Sequence, residues 1–344
     1  MINGHGDDSH LFGREGLLDF SSNIPYRNHS DAIIAHIGEV LPRIKNYPDP
    51  NASRLTSLLA RKQQQKENSI VVTNGSTEAF YITAQAYKGA KSMVAIPSFA
   101  EYEDACSRFG HRISYLTYPE ITARKVKPYD MLWMAYPNNP DGYIISTDIL
   151  TDILEQCPDT LVVVDTAYSE LSHTPIRIDS LHSRYPNLIT IHSLTKTFAI
   201  PGLRLGYIVA SEEIAEQVSS MRMPWSVNAL AQEAGSYIME HYEELLPPSE
   251  ELIAECLLFR GELLNEINRL TISPTSSNFF LARLPNRDAK SLKSYLIEQH
   301  GILIRNADNF RGLSPQHFRV SVQGPEANRR LLEALQDYLS QTSI

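Results

Sequence analysis

Residues 193–207 read SLTKTFAIPGLRLGY, and the fold follows from what stands on either side of them. The run before them, NLITIH (187–192), is apolar enough for a buried strand, and LRLGYIVA (203–210) reads as another. Lys196 therefore falls between two core strands, where a lysine either reaches water or is kept for chemistry. Ser193 stands three residues before it and Arg204 eight after it, and with Thr195 they could hold a phosphate. The plain alternative is a lysine on a surface loop.

Working outward toward the N-terminus, strands and helices alternate. TLVVVDTAY (160–168) reads as a strand with Asp165 at its carboxyl end, and DMLWMAYPNNPDG (130–142) as a strand ending in a polar turn that holds Asn139. Residues 146–156 fit a helix, RISYLT (112–117) a strand, Phe99 to Phe109 a helix, and SMVAIP (92–97) a strand. SIVVTNGSTEAFYITAQAY (69–87) reads as strand, turn at Asn74 and Gly75, and a helix from near Ser76. A helix start of that kind can hold an anion through its free N–H groups, although any capped helix would look the same. Further back, helices are expected over about Ser53 to Gln65 and Ser30 to Leu41, the latter with Ser30 as cap and Ile33, Ile34 and Ile37 on one face. LLDF suggests a short strand in an otherwise irregular arm.

Beyond Ser211 the pattern turns helical: IAEQVSSM, NALAQEAGSYIMEHY and a long helix from about Ser249 to Asn268. SSNFFLARL, KSLKSYLIEQH, GILIRNA, FRVSV and a last helix from about Pro325 to Leu339 form a smaller α+β unit. The expected organisation is an α/β protein with a mostly parallel sheet between helices. An arm (1–30) precedes a large domain (31–245), and a small domain (246–344) closes over the site. Ligands of such sheets bind beyond the carboxyl ends of the strands. Asn139, Asp165, Lys196 and the 74–78 turn all fall there.

Composition sets limits on partners. The 344 residues carry a net charge of -9, which leaves no basic footprint for nucleic acid. No apolar run reaches membrane-spanning length, and the polar, acidic start MINGHGDDSH is no secretory signal. Cys106, Cys157 and Cys256 are widely spaced, which fits buried thiols in a reducing cytoplasm and gives no metal site.

These motifs carry a resemblance. Over nearly its whole length the chain resembles the aminotransferase class I/II members of the fold-type I enzymes that depend on pyridoxal 5′-phosphate (PLP). The matching positions are Tyr47, Gly75 to Glu78, Phe99 and Tyr102 in FAEY, Asn139 in NNPDG, Asp165, Tyr168, Ser193, Lys196 and Arg204. Within that family it is similar to histidinol-phosphate aminotransferases, and closer still to the threonine-phosphate decarboxylases of cobalamin synthesis. The features behind that choice are HGDD, LLDFSSNI, SFAEY, the run through Lys196, and MPWSVNALA (223–231). Two positions depart: Thr166 stands where a second acid is common, and Asp141 where NPTG would have threonine.

The resemblance implies a role for each position. Lys196 would condense with the PLP aldehyde, and Asp165 would keep the pyridine nitrogen protonated so that the ring can accept electrons. Standing alone, Asp165 reads equally as an ordinary acid at a strand end. Tyr168 and Asn139 would donate to the ring 3-oxygen. Phe99 would stack on the ring, or else serve as a core aromatic. Gly75, Ser76 and Thr77 would share the phosphate with Ser193, Thr195 and Arg204. Tyr47 would reach the PLP phosphate of a neighbouring subunit, implying a homodimer; otherwise it is a turn tyrosine before Pro48.

On the substrate side, Arg319 alternates with Phe318 and Val320 and so leaves the face opposite the apolar one, which suits a solvated face as well as a pocket. The resemblance gives it a substrate carboxylate or phosphate. Arg305, His5 and Asn23 would help hold a phosphate, and Asn278 would sit near the carboxylate. Taken singly, His5 and Asn23 read as solvated loop residues. The implied substrate is a small phosphorylated amino acid. The expected reaction is decarboxylation of L-threonine O-3-phosphate, with an aminotransferase on histidinol phosphate as its rival. A PLP-sensing regulator would need a DNA-binding domain ahead of residue 30, and a non-catalytic PLP binder would not need both Lys196 and Asp165.

Overall fold

The structure, a computed structural model, describes residues 6–13, 16–172 and 178–341. The arm supplies strand β1 (Leu18–Asp19). The central sheet is built from β2 (Ile70–Thr73), β3 (Lys91–Ile96), β4 (Arg112–Thr117), β5 (Met131–Ala135), β6 (Leu161–Asp165), β7 (Leu188–Ser193) and β8 (Gly206–Val209). Their order across the sheet is β2-β8-β7-β6-β5-β3-β4. β8 alone runs antiparallel to its neighbours, so the carboxyl ends of β2, β7, β6, β5 and β3 share one edge.

The middle strands are apolar without interruption because helices cover both faces. Trp133, Val163 and Ile189 pack on one side, while Leu132, Val162 and Leu188 pack on the other. This is the strand period of two, with core on both faces. The expected strands therefore appear nearly at their expected bounds, with helices such as Gly75–Ala86, Glu101–Arg108 and Thr147–Gln156 between them. The last of these begins at the cap Ser146, whose hydroxyl accepts from Ile149 N at 3.4 Å.

The C-terminal part adds β9 (Thr271–Ile272), β10 (Phe279–Arg283), β11 (Ile302–Leu303), β12 (Arg305–Asn306) and β13 (His317–Ser321). Four of them form an antiparallel sheet in the order β12-β13-β10-β9, and β11 pairs in parallel with β1 of the arm. Phe20 from the arm is fully buried among Phe259, Phe280, Phe318 and Val320. The arm is thus part of this core, far in sequence though it is.

Three local expectations need correction. Ser30 is the first residue of its helix (Ser30–Val40) and not the cap; Asn28 Oδ1 accepts from Ser30 N at 3.0 Å instead. Ile34 is 58% exposed while Ile33 is fully buried, because adjacent helix positions lie about 100° apart. The helix expected in KSLKSYLIEQH runs as α-helix only over Ala289–Tyr295 and finishes in a π-turn, Leu296–His300, before Gly301 at φ 65°. Among the described residues, no helix is long and apolar enough to cross a membrane.

Candidate active site

A cavity of about 600 Å³ opens at the carboxyl edge of the central sheet. Lys196 lies one turn past the end of β7, in the short helix Leu194–Thr197. Its Nζ donates to the Ser22 carbonyl at 3.0 Å, a contact across 174 residues of sequence. Burial lowers its pKa to about 8, and the Arg319 and Arg204 charges push the same way against Asp19 and Asp7. A lysine so placed is a usable nucleophile near neutral pH, which a solvated lysine is not.

Asp165 ends β6 across the cavity floor. Tyr102 donates its hydroxyl to Oδ2 at 2.5 Å, and the Ala167 N–H donates to Oδ1 at 2.9 Å. Burial raises the Asp165 carboxyl to about 6, against the pull of these two donors and of His192. A basic ring nitrogen bonded to this carboxylate would remain protonated, since the pair satisfies a buried charge that is otherwise costly.

The phosphate end is a close fit of backbone to side chain. Gly206 pairs with both Thr73 and Ser193, and a Cβ on it would lie 2.6 Å from the His192 carbonyl and 2.8 Å from the Ser76 nitrogen. Gly75, at φ 77°, would bring a Cβ within 2.7 Å of the Arg204 guanidinium. Only glycines let the helix start, the β8 strand and Arg204 meet here. Ser193 Oγ and Thr195 Oγ1 lie 2.8 Å apart beside the same space, which Ser76, Thr77 and Arg204 also line. Several N–H and hydroxyl donors and a guanidinium around one point make a phosphate site. Glu78 braces it by accepting from Asn74 N at 2.5 Å and from Ser226 Oγ at 3.1 Å.

Phe99 borders the cavity and packs edge-on against Phe80 and Tyr102, at 6.2 and 5.9 Å between ring centroids. Tyr168 accepts at its hydroxyl from Asn23 Nδ2 at 3.3 Å and stands edge-on to Phe279. Asn139 lines the cavity, and its Oδ1 accepts from Arg319 Nη1. That leaves the Asn139 amide nitrogen as its donor toward a ligand. Next to it, Asp141 accepts from Asn138 Nδ2 and Tyr143 N, so the acid that replaces the expected threonine holds the turn together. Thr166 Oγ1 bonds the Ile191 carbonyl and His192 Nδ1, both at 3.0 Å, and lies in the sheet edge behind Asp165.

The substrate arginines are where the structure adds most. Arg305 and Arg319 are direct cross-strand partners in β12 and β13, and both are buried. Burial and the neighbouring Arg319 lower the Arg305 pKa to about 10. Arg319 Nη2 donates to the Ser21 carbonyl, while its Nε has no hydrogen-bond partner among the described residues. Two like charges buried face to face are unfavourable unless an anion lies between them. The open alternative for Arg319, a solvated strand face, is therefore excluded: residues 19–22 of the arm cover that face.

Other positions come out differently. Asn23 and Asn278 are fully buried beside the site rather than lining it, and the atoms Asn23 Oδ1 and Asn278 Nδ2 have no hydrogen-bond partner among the described residues. Tyr47 is 87% exposed, 5.5 Å from Trp225, and lines a separate cavity. His5 lies outside the described residues. The Ser22 carbonyl is a site group that the sequence did not assign, and Tyr102 was matched by the resemblance without a role. The FAEY match marked Tyr102 but gave it no partner, and nothing in the sequence marks a backbone carbonyl.

The donor set fits a phosphorylated, protonated-ring cofactor bound through a lysine. The glycine cradle, the buried Asp165 and Lys196 with its lowered pKa are its three parts. Comparison with known proteins gives the same direction. The family model "Aminotransferase class I and II" matches residues 15–335. Threonine-phosphate decarboxylase of Salmonella typhimurium is 32% identical over 94% of this chain and 92% of its own length. Histidinol-phosphate aminotransferase of Caldanaerobacter subterraneus is 30% identical over 95% and 98%. Among solved structures, the L-threonine-O-3-phosphate decarboxylase of Porphyromonas gingivalis superposes with a TM-score of 0.90 at 35% identity, covering 94% of this chain and 100% of that one.

Proposed function

The chain belongs to the aminotransferase class I and II family of PLP-dependent enzymes, and on that premise we propose that it decarboxylates L-threonine O-3-phosphate to (R)-1-aminopropan-2-yl phosphate and CO2. The fold is that of the fold-type I enzymes, and PLP is the cofactor. Lys196 and Asp165 would hold it, with Ser193, Thr195, Ser76, Thr77 and Arg204 on its phosphate. When bound, the cofactor supplies an aldehyde for an amine and a ring that draws electrons from the bond broken at Cα.

The observation that carries the reading is the buried pair Arg305 and Arg319. The substrate has a phosphate at one end and a carboxylate at the other, and two fixed guanidiniums can bind both. Arg305 would take the phosphate, with His5 and Asn23 near it. Arg319 would face the carboxylate, with Asn278 buried near it. Holding both ends would fix rotation about Cα and so select which bond there is broken. A pocket that selects the carboxylate bond would release CO2, and one that selects the Cα hydrogen would lead to transamination. Lys196, protonated below about pH 8, would be the acid that returns a proton to Cα.

A homodimer completes this reading. Tyr47 and Trp225 lie together and exposed, as Leu41 and Ile44 are, and Tyr47 would reach a second copy's phosphate site. The arm (1–30) and the residues after 246 would form the small domain over a large one (31–245), in a cytoplasmic enzyme of cobalamin synthesis. Histidinol-phosphate aminotransferase remains the second reading, because relatives of that activity are similar at 30% identity over most of the chain. The deciding assay is CO2 release from threonine phosphate beside glutamate formation from histidinol phosphate and 2-oxoglutarate. Release of CO2 is expected; glutamate without CO2 would overturn the decarboxylase.

A further inference from the structure

Arg311 lies in the loop 307–316 between β12 and β13, outside the groups that hold cofactor or substrate. Its guanidinium forks onto one carboxylate: Nε donates to Glu103 Oε2 at 2.8 Å and Nη2 to Glu103 Oε1 at 2.5 Å. It also lies over the Tyr115 ring, 4.3 Å from the centroid. Glu103 sits on the helix Glu101–Arg108, the one that carries Tyr102 against Asp165 and follows Phe99. The ion pair therefore ties a loop of the C-terminal sheet to the element that builds the cofactor wall.

The same loop holds Arg305. Asn309 Oδ1 accepts from Arg305 Nη2 at 2.7 Å, and the Phe310 ring stands 5.3 Å from the Arg305 guanidinium while lining the cavity. Arg305 faces a like charge across the strand pair, so its guanidinium keeps its place only if acceptors on its own side are fixed. We propose that Arg311 is a positioning residue whose clamp on Glu103 fixes the loop 307–316, so that Asn309 and Phe310 hold Arg305 where it receives the substrate's phosphate. This rests on the reading of Arg305 as the phosphate-binding group.

The pair suits the task. A bidentate fork stacked on an aromatic ring has one geometry, which a lysine cannot reproduce. The bond from Arg311 also holds the Glu103 carboxyl below its ordinary range, so the clamp stays charged at neutral pH.

The test uses the holoenzyme and the variants Arg311→Ala, Arg311→Lys, Glu103→Gln and the Ala/Gln double. Calorimetry with orthophosphate measures the anion site, and threonine phosphate gives KM and kcat. Arg311→Ala is expected to raise KM and the orthophosphate Kd together by about three- to tenfold, with kcat, cofactor affinity and Tm close to wild type. Arg311→Lys should fall between, Glu103→Gln should match the alanine variant, and the double should add nothing. Unchanged KM and Kd in Arg311→Ala, or additive effects in the double, would overturn the proposal alone. Wild-type enzyme that binds neither orthophosphate nor threonine phosphate would overturn the Arg305 reading and the proposal with it.

Discussion

The two ends of the cavity are built by different rules. The cofactor end is assembled from strand termini of one sheet: Asp165 closes β6, Ser193 closes β7, and Lys196 follows within a turn. The substrate end is assembled from distant pieces: β12, β13, the loop 307–316 and the arm at 19–23. At the first end the charges come partnered, Asp165 by Tyr102 and the phosphate site by its own hydroxyls. At the second, two arginines are cross-strand partners and buried polar atoms stand without hydrogen-bond partners among the described residues. The contrast teaches that the first end is organised before any ligand arrives, whereas the second is stabilised by the anion it binds.

Removing the central amine is the hardest blow to the first end. Lys196→Ala should lower turnover by about 10⁴ or more and abolish the visible absorbance of lysine-linked cofactor. A variant that keeps that absorbance would place the link elsewhere. Next comes the second end. Arg319→Ala, or Arg305→Ala, should reduce kcat/KM for threonine phosphate by about 30- to 1000-fold with cofactor still bound, since a buried anion loses its partner. Cofactor loss in those variants would erase the division between the ends.

A smaller loss is expected from Asp165→Asn, which removes a charge-assisted hydrogen bond of about 1.5–3 kcal/mol and so about 10- to 100-fold in cofactor affinity. Fluorescence titration of the apoenzyme with cofactor measures it, and an unchanged affinity would reduce Asp165 to a structural acid. Smallest is the pH effect. Lys196 has a pKa lowered to about 8, so its amine is protonated below and free above that value. The rate at which apoenzyme captures cofactor should rise about tenfold from pH 7 to pH 9 and level off beyond it. A rise that continues to pH 10.5 would mean an ordinary, solvated lysine.

The cofactor end was legible in the sequence because each of its groups is announced by a local pattern. An apolar run predicts the strand, its last residue predicts the edge, and Lys196, Asp165 and the turn at Gly75 all lie at such positions. The role of Tyr102 was not legible even though FAEY marked the residue, since its contact to Asp165 spans 63 residues and it lies on a buried helix face like any core tyrosine. Tyr47 illustrates the reverse, a motif residue that one chain leaves at the surface.

The sequence by itself determined the alternation of strands and helices and the line of chemical groups along one sheet edge, because periodicity fixes which way consecutive side chains point. For Arg319 the same periodicity established only that it leaves the apolar face of β13. Only the tertiary structure decided that this second face is closed by Ser21 and Asn139 and set opposite Arg305. The physical reason is that the period of a strand says which side chains share a face, while what covers that face depends on contacts between segments remote in the chain.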